Sequence, residues 1–385
     1  MIWDYRKITF ITSLAVLAFV LPMQKGIDPV KRRESRANRI LRTCTKTTYP
    51  PTCYNGEIPK TLSVGSLADS FEIVKLIREK DHTFLYCHDV AHLLGRAAVK
   101  KNRKEWRKTL ADCQFGTCAN GCLHGVVQEV VKEEIHAPLT GAARQSLTTI
   151  CQGDSTWRPN IFEKSHCYMA MGSVFNYFTN ANISASLLLC DEATTGGDGL
   201  AYARLCYDGV FDQIFRPKER EDANLVRGKA PIKEAVRGFC DQFTSESFGA
   251  LKQSSCLNET WPLFRQEVST PEGLEWFCSQ GKDTEGADAC YKVLFQRVAQ
   301  NNNFDVSKIA DFCRHISTSR QALCLGAAAI NAMVTEKEYK IKVQDICNVL
   351  DNPRVSQECD SIIKQFMSAT QEELFCASPA GRSRK

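Results

Sequence analysis

From Leu67 onward one arrangement of apolar and polar positions recurs along the chain. A helical stretch ends in a cysteine. A polar loop rich in glycine or serine follows, and a second cysteine opens a longer, more apolar helix. Alternation of apolar and polar residues at a period of two is nearly absent, so the pattern predicts an all-α fold. The helix-ending cysteines are Cys113, Cys151, Cys190, Cys240, Cys278, Cys313 and Cys347; the helix-opening ones are Cys122, Cys167, Cys206, Cys256, Cys290, Cys324 and Cys359. Within a pair the offset is 9 to 16 residues, and successive helix-opening cysteines lie 34 to 50 residues apart, with Cys87 preceding Cys122 by 35. A near-constant step of this size is the mark of stacked helix pairs. The residues after the helix-opening cysteines are small or apolar, as in Cys122-Leu-His-Gly125 and Cys206-Tyr-Asp-Gly209, which lets neighbouring helices come close. Pro138, Pro159, Pro217, Pro231, Pro271 and Pro353 fall near the proposed breaks.

The fold expected is an α-solenoid of about seven to eight disulfide-stapled antiparallel helix pairs, preceded by an N-terminal signal or anchor helix. Its bounds are 1–24 for the signal peptide or signal-anchor, 25–66 for an irregular stalk, 67–367 for the repeat domain and 368–385 for a polar C-terminal tail. Each staple closes a short loop, worth about 3 kcal/mol in the chain-entropy estimate. Cys44 and Cys53 are spaced to close a loop in the stalk. Cys87 with Cys118 completes nine bonds and leaves Cys376 over, although Cys87, Cys113, Cys118 and Cys122 could pair in more than one way. In architecture alone, residues 67–367 resemble disulfide-bridged helix-pair repeat proteins of the Sel1-like, cysteine-rich class. The alanine- and glycine-rich signature of those repeats is missing, and the cysteine spacing differs. The resemblance implies peptide or cell-wall binding on a concave face.

Composition narrows the setting. Nineteen cysteines with no Cys-x-x-Cys pair argue for disulfides in an oxidising space and against zinc ribbons, iron–sulfur clusters and thioredoxin-like sites. Arg6 and Lys7 precede an apolar run from Ile8 to Met23, the form of a secretory signal or signal-anchor. Lys25, Lys31, Arg32 and Arg33 follow it, against a strict positive-inside orientation. The chain is therefore expected outside the cytoplasm, secreted or held by its N-terminal segment. A net charge of +5 on 385 residues is mild, and no aromatic-plus-basic pattern points to nucleic acid. Asn182-Ile-Ser and Asn258-Glu-Thr are glycosylation sequons in a host that modifies exported chains.

Candidate chemistry gathers at one place. His88 and His92 stand four apart on one helix face, and His124 opens the next central helix. Three imidazoles with an open fourth position suit zinc, iron or copper. Asp89, Glu129 and Asp208 are the nearby candidate carboxylates. A thiolate zinc site from Cys87, Cys118 and Cys122 with His88 or His124 is the competing metal arrangement, and structural histidines bonded to backbone are the plainer one. The segment Cys118-Ala-Asn-Gly-Cys122-Leu-His124 lacks the Cys-His adjacency of haem attachment. There is no Gly-x-Ser-x-Gly, no phosphate-binding loop and no dinucleotide fingerprint. Two functions follow. The first is an exported or membrane-anchored scaffold that binds a protein or peptide. The second is an extracytoplasmic metal-dependent enzyme using His88, His92 and His124.

Overall fold

A computed structural model describes residues 28–376 except 82–83, 85–86, 114–116, 135–148, 196–198, 218–219, 281–283, 303 and 336–341. The apolar run from Ile8 to Met23 lies outside the described residues, as do 377–385 and the side chain of Cys376. Among the described residues every regular element is helical, and no helix is long and apolar enough to cross a membrane.

Residues 25–66, expected as an irregular stalk, contain two helices, α1 (Pro29–Cys44) and α2 (Pro50–Glu57), which Cys44–Cys53 joins. Their prolines sit in the first turn, where a backbone N–H is unpaired in any case, so they start helices rather than break them. Ala37, Ile40 and Tyr54 are buried, and α1 packs on α3 (Leu67–Lys80). A capping box opens α3: the Ser66 hydroxyl accepts from the Asp69 N–H at 3.0 Å, and the Asp69 carboxylate accepts from the Ser66 N–H at 3.2 Å.

The remaining helices are α4 (His88–Lys101), α5 (Trp106–Asp112), α6 (Gly121–Glu134), α7 (Ile161–Phe178), α8 (Ile183–Ala193), α9 (Ala203–Phe215) and α10 (Arg220–Leu225). After them come α11 (Val236–Asp241), α12 (Gly249–Glu259), α13 (Pro271–Ser279), α14 (Thr284–Asn301), α15 (Val306–Arg314), α16 (Gln321–Thr335), α17 (Val343–Asn348) and α18 (Pro353–Cys376). Nine disulfides close: 44–53, 87–118, 113–122, 151–167, 190–206, 240–256, 278–290, 313–324 and 347–359. The last seven each tie a short flanking segment to the longer helix that follows it.

The longer helices form a central row, α4, α6, α7, α9, α12, α14, α16 and α18, each packed on the next. Apolar residues of this row fill the core: Val126, Val130, Met171, Phe175, Val210, Phe211, Leu294, Phe295, Leu325 and Ala328 are all buried. The row coils back on itself. The 3-10 turn Thr117–Asn120, which leads into α6, touches α16. Phe162 at the start of α7 meets Phe366 of α18, ring centroids 4.4 Å apart. Both contacts join members five places apart in the row, so the solenoid is a tight superhelix with a seam between its first and second turns.

Candidate functional site

Two glycine crossings set the geometry of the first units. A Cβ on Gly125 of α6 would stand 1.9 Å from the His92 carbonyl oxygen of α4, and one on Gly95 would stand 2.2 Å from the Cys122 carbonyl oxygen. Only glycine permits that backbone approach. The crossing of α7 and α9 repeats it: Gly172 faces the Cys206 carbonyl and Gly209 the Met169 carbonyl, each at 1.9 Å from the ideal Cβ. Residues three before these glycines therefore face each other across two backbones in contact, and in the first crossing one of them is His92.

His88, His92 and His124 are all buried. Cys118 and Asn120 have positive φ, 51° and 57°, in the turn that the 87–118 disulfide holds against α4. This turn aims the Cys118 carbonyl at His88, whose Nδ1–H donates to it at 3.3 Å and so fixes the tautomer with Nδ1 protonated. The rings of His88 and His124 meet edge to face with centroids 5.2 Å apart; His92 lies 6.5 Å from His88. His124 then meets a residue that the sequence reading missed, His166 of α7, with Nε2 and Nδ1 3.2 Å apart and ring centroids at 5.2 Å. The imidazoles form a chain across three helices, His88–His124–His166, rather than a cluster round one point. Among the described residues no group of three or more histidine, cysteine, aspartate or glutamate side chains is arranged to hold a metal ion. The expected triad of His88, His92 and His124 is not such a group, because His92 sits a turn along α4 while His124 turns towards α7. The signal for His166 was present in the sequence: it adjoins Cys167, as His88 adjoins Cys87.

The thiolate alternative falls, since Cys87, Cys118 and Cys122 are all spent in disulfides. Of the carboxylates, Glu129 is engaged across the α4–α6 crossing by Arg96 at 3.0 Å and Lys100 at 3.5 Å. Asp89 lies half-buried in the first turn of α4. Asp208 belongs to a separate buried network on α9 and α12, with Arg204 at 3.9 Å. There Asp212 is held by Arg216 at 2.7 Å, and Glu259 joins from α12. Loss of hydration raises the Glu259 carboxyl to about 8; repulsion from Asp212 and Asp208 adds to this, and Arg297 and Arg216 oppose it. Burial likewise raises the Asp208 carboxyl from its ordinary value, with Arg204 opposing. The two sequons differ: Asn182 is an exposed N-cap of α8, whereas Asn258 is buried within α12.

A second feature lies on the surface between α11 and α13. A hollow of about 230 Å³ is lined by Val236, Leu257, Phe264, Trp276 and Phe277, with Lys233 and Arg237 at its rim. Phe264 packs at a tilt against both neighbours, 5.8 Å from Trp276 and 5.3 Å from Phe277 by ring centroid. Trp276 is 45% exposed and Ile232, just before the rim, 72%. Lys233 lies over the Phe264 ring at 4.9 Å and pairs with Glu267.

No family model, curated protein or solved structure matches the chain. The class is set by the fold: a cysteine-rich helical-repeat protein whose stapled helix pairs follow one another through the chain. Its nine intrachain disulfides belong to an oxidising, extracytoplasmic space. The likeness to Sel1-like repeats stays at architecture.

Proposed function

We propose that the chain is an exported or membrane-anchored scaffold that binds a peptide or partner protein through the hollow between α11 and α13. The observation that carries this reading is an apolar concavity with exposed Trp276 at its wall and Ile232 beside it. Aromatic walls that are half-exposed in a rigid frame suit the capture of one apolar anchor, since desolvating them costs little order. The 240–256 and 278–290 staples fix the two flanking helices, so the hollow is preformed. The test is selection of a random peptide library on the oxidised protein, followed by titration of enriched peptides. Trp276→Ala should weaken them at least about tenfold. Peptides that bind the variant as well as the parent, or no enrichment at all, would sink the reading.

As a second reading we propose a metal-dependent enzyme whose ion is held between His124 and His166. Two nitrogens bound to one tetrahedral zinc at about 2.0–2.1 Å stand about 3.3 Å apart, close to the 3.2 Å between His124 and His166. Dialysis against zinc, iron or copper followed by elemental analysis checks it: the parent should retain about one ion that His166→Ala loses. Equal retention by both would remove it.

A further inference from the structure

Helix α1 carries Lys31, Arg32, Arg33, Arg36, Arg39 and Arg42 against a single acidic residue, Glu34. Arg33 is turned to the fold, with Asp69 of α3 at 3.7 Å. Lys31, Arg32, Arg39 and Arg42 are exposed. None of these four has an acidic partner within salt-bridge distance among the described residues. At about 100° per residue they fall within an arc of about 100° on one side of the helix, with Ser35 between them and Asn38 at its edge. Ala37, Ile40 and Cys44, the buried residues of α1, fall on the opposite side. A shallow hollow lined by Lys31, Ser35, Asn38 and Arg42, with Glu34 and Leu41, runs along the edge of the cationic side.

We infer that this face of α1 lies on the anionic headgroups of a lipid bilayer. The inference rests on the extracytoplasmic reading of the N-terminal segment. The apolar run ends at Met23 and α1 begins at Pro29. Six residue steps reach at most about 20 Å, so a run inserted in a bilayer holds α1 at that bilayer's surface. A 16-residue helix is about 24 Å long and presents its four cations as a flat stripe. That shape suits a planar array of phosphates rather than a pocket. Clusters of this size beside a membrane segment gain from anionic lipid with each cation. No aromatic side chain interrupts the stripe, so the base-stacking platform of a single-stranded nucleic acid site is absent from it.

The experiment uses the full chain with intact disulfides and vesicles of phosphatidylcholine, with or without phosphatidylglycerol, at low and high salt. To read the face by itself, binding is also measured in a background carrying Val16→Asp and Phe19→Asp, which remove the apolar run. In that background the chain should bind anionic vesicles and leave neutral ones. The fourfold variant Lys31→Gln, Arg32→Gln, Arg39→Gln, Arg42→Gln should lose roughly fivefold in partition per charge removed, with half-molar salt giving a similar loss. Unchanged helical circular dichroism shows that the variant folds. Equal partition of parent and variant onto anionic vesicles overturns the face. Failure of the unmutated chain to bind neutral vesicles overturns the membrane segment and leaves the face standing. Duplex DNA that binds as tightly at physiological salt, with the same loss in the variant, overturns lipid as the partner.

Discussion

At the scale of single residues, Glu259 is a buried side chain whose protonation is set by its surroundings. Its carboxyl titrates near 8 in the folded chain, against an ordinary value of 4.5. An acid with a raised folded value holds a proton that the unfolded chain has released. The contribution of this group to stability is therefore full below about 4.5 and is lost as pH rises towards 8, because the unfolded state binds fewer protons in that window. Asp208, also raised, acts in the same direction. Thermal melts between pH 5 and 8 should show a decline that Glu259→Gln reduces; equal slopes for both proteins would refute the assignment. Neither group announces itself in the sequence. Asp208 could be singled out because it takes the place of His124 two units later, but the proximity of Glu259 depends on how α12 packs on α9. Similarly, His124 beside Cys122 and His166 beside Cys167 are both visible in the sequence, but their contact depends on the placing of α7 beside α6.

At the scale of elements, close crossings decide which helices meet. Gly125→Ala would drive a methyl into the His92 carbonyl, and relief requires the two backbones to part. A loss of about 3 kcal/mol or more is expected, at the upper end of overpacking costs, with weakening of the His88–His124 contact. Gly238, in α11, has nothing within 4 Å of an added Cβ; there Gly→Ala should stabilise by about 0.5–1 kcal/mol through helix propensity. Denaturant midpoints of the two variants moving in opposite directions is the expected result, and loss in both would show that the crossing is not special. The small residues after the helix-opening cysteines made this packing legible in advance. The helices α1 and α2 were not, because Pro29, Pro50 and Pro51 give the segment the look of an irregular stalk, whereas in first turns they start helices.

At the scale of the whole molecule, the seam turns an array of neighbours into a coil with long-range contact. Phe162 and Phe366 are 204 positions apart in sequence and 4.4 Å apart by ring centroid. A double-mutant cycle with Phe162→Ala and Phe366→Ala should give a coupling of about 0.5–1.5 kcal/mol, the worth of an aromatic pair beyond its burial. Zero coupling would mean that the two turns do not touch in solution. A plain solenoid has no such term, since each repeat feels only its neighbours.

The sequence by itself determined the helical class, the six staples from Cys151 onward and the position of the first-unit histidines. These follow from short-range rules: helix period, loop length between cysteines, and which residues adjoin them. Tertiary structure alone decided the seam, the joining of His166 to His124, the raised Glu259 carboxyl and the opposition of cationic and buried faces on α1. Each of these depends on the angle at which one helix lies against another. That angle is set by many small packing contacts summed along the row, and no local stretch of sequence carries the sum.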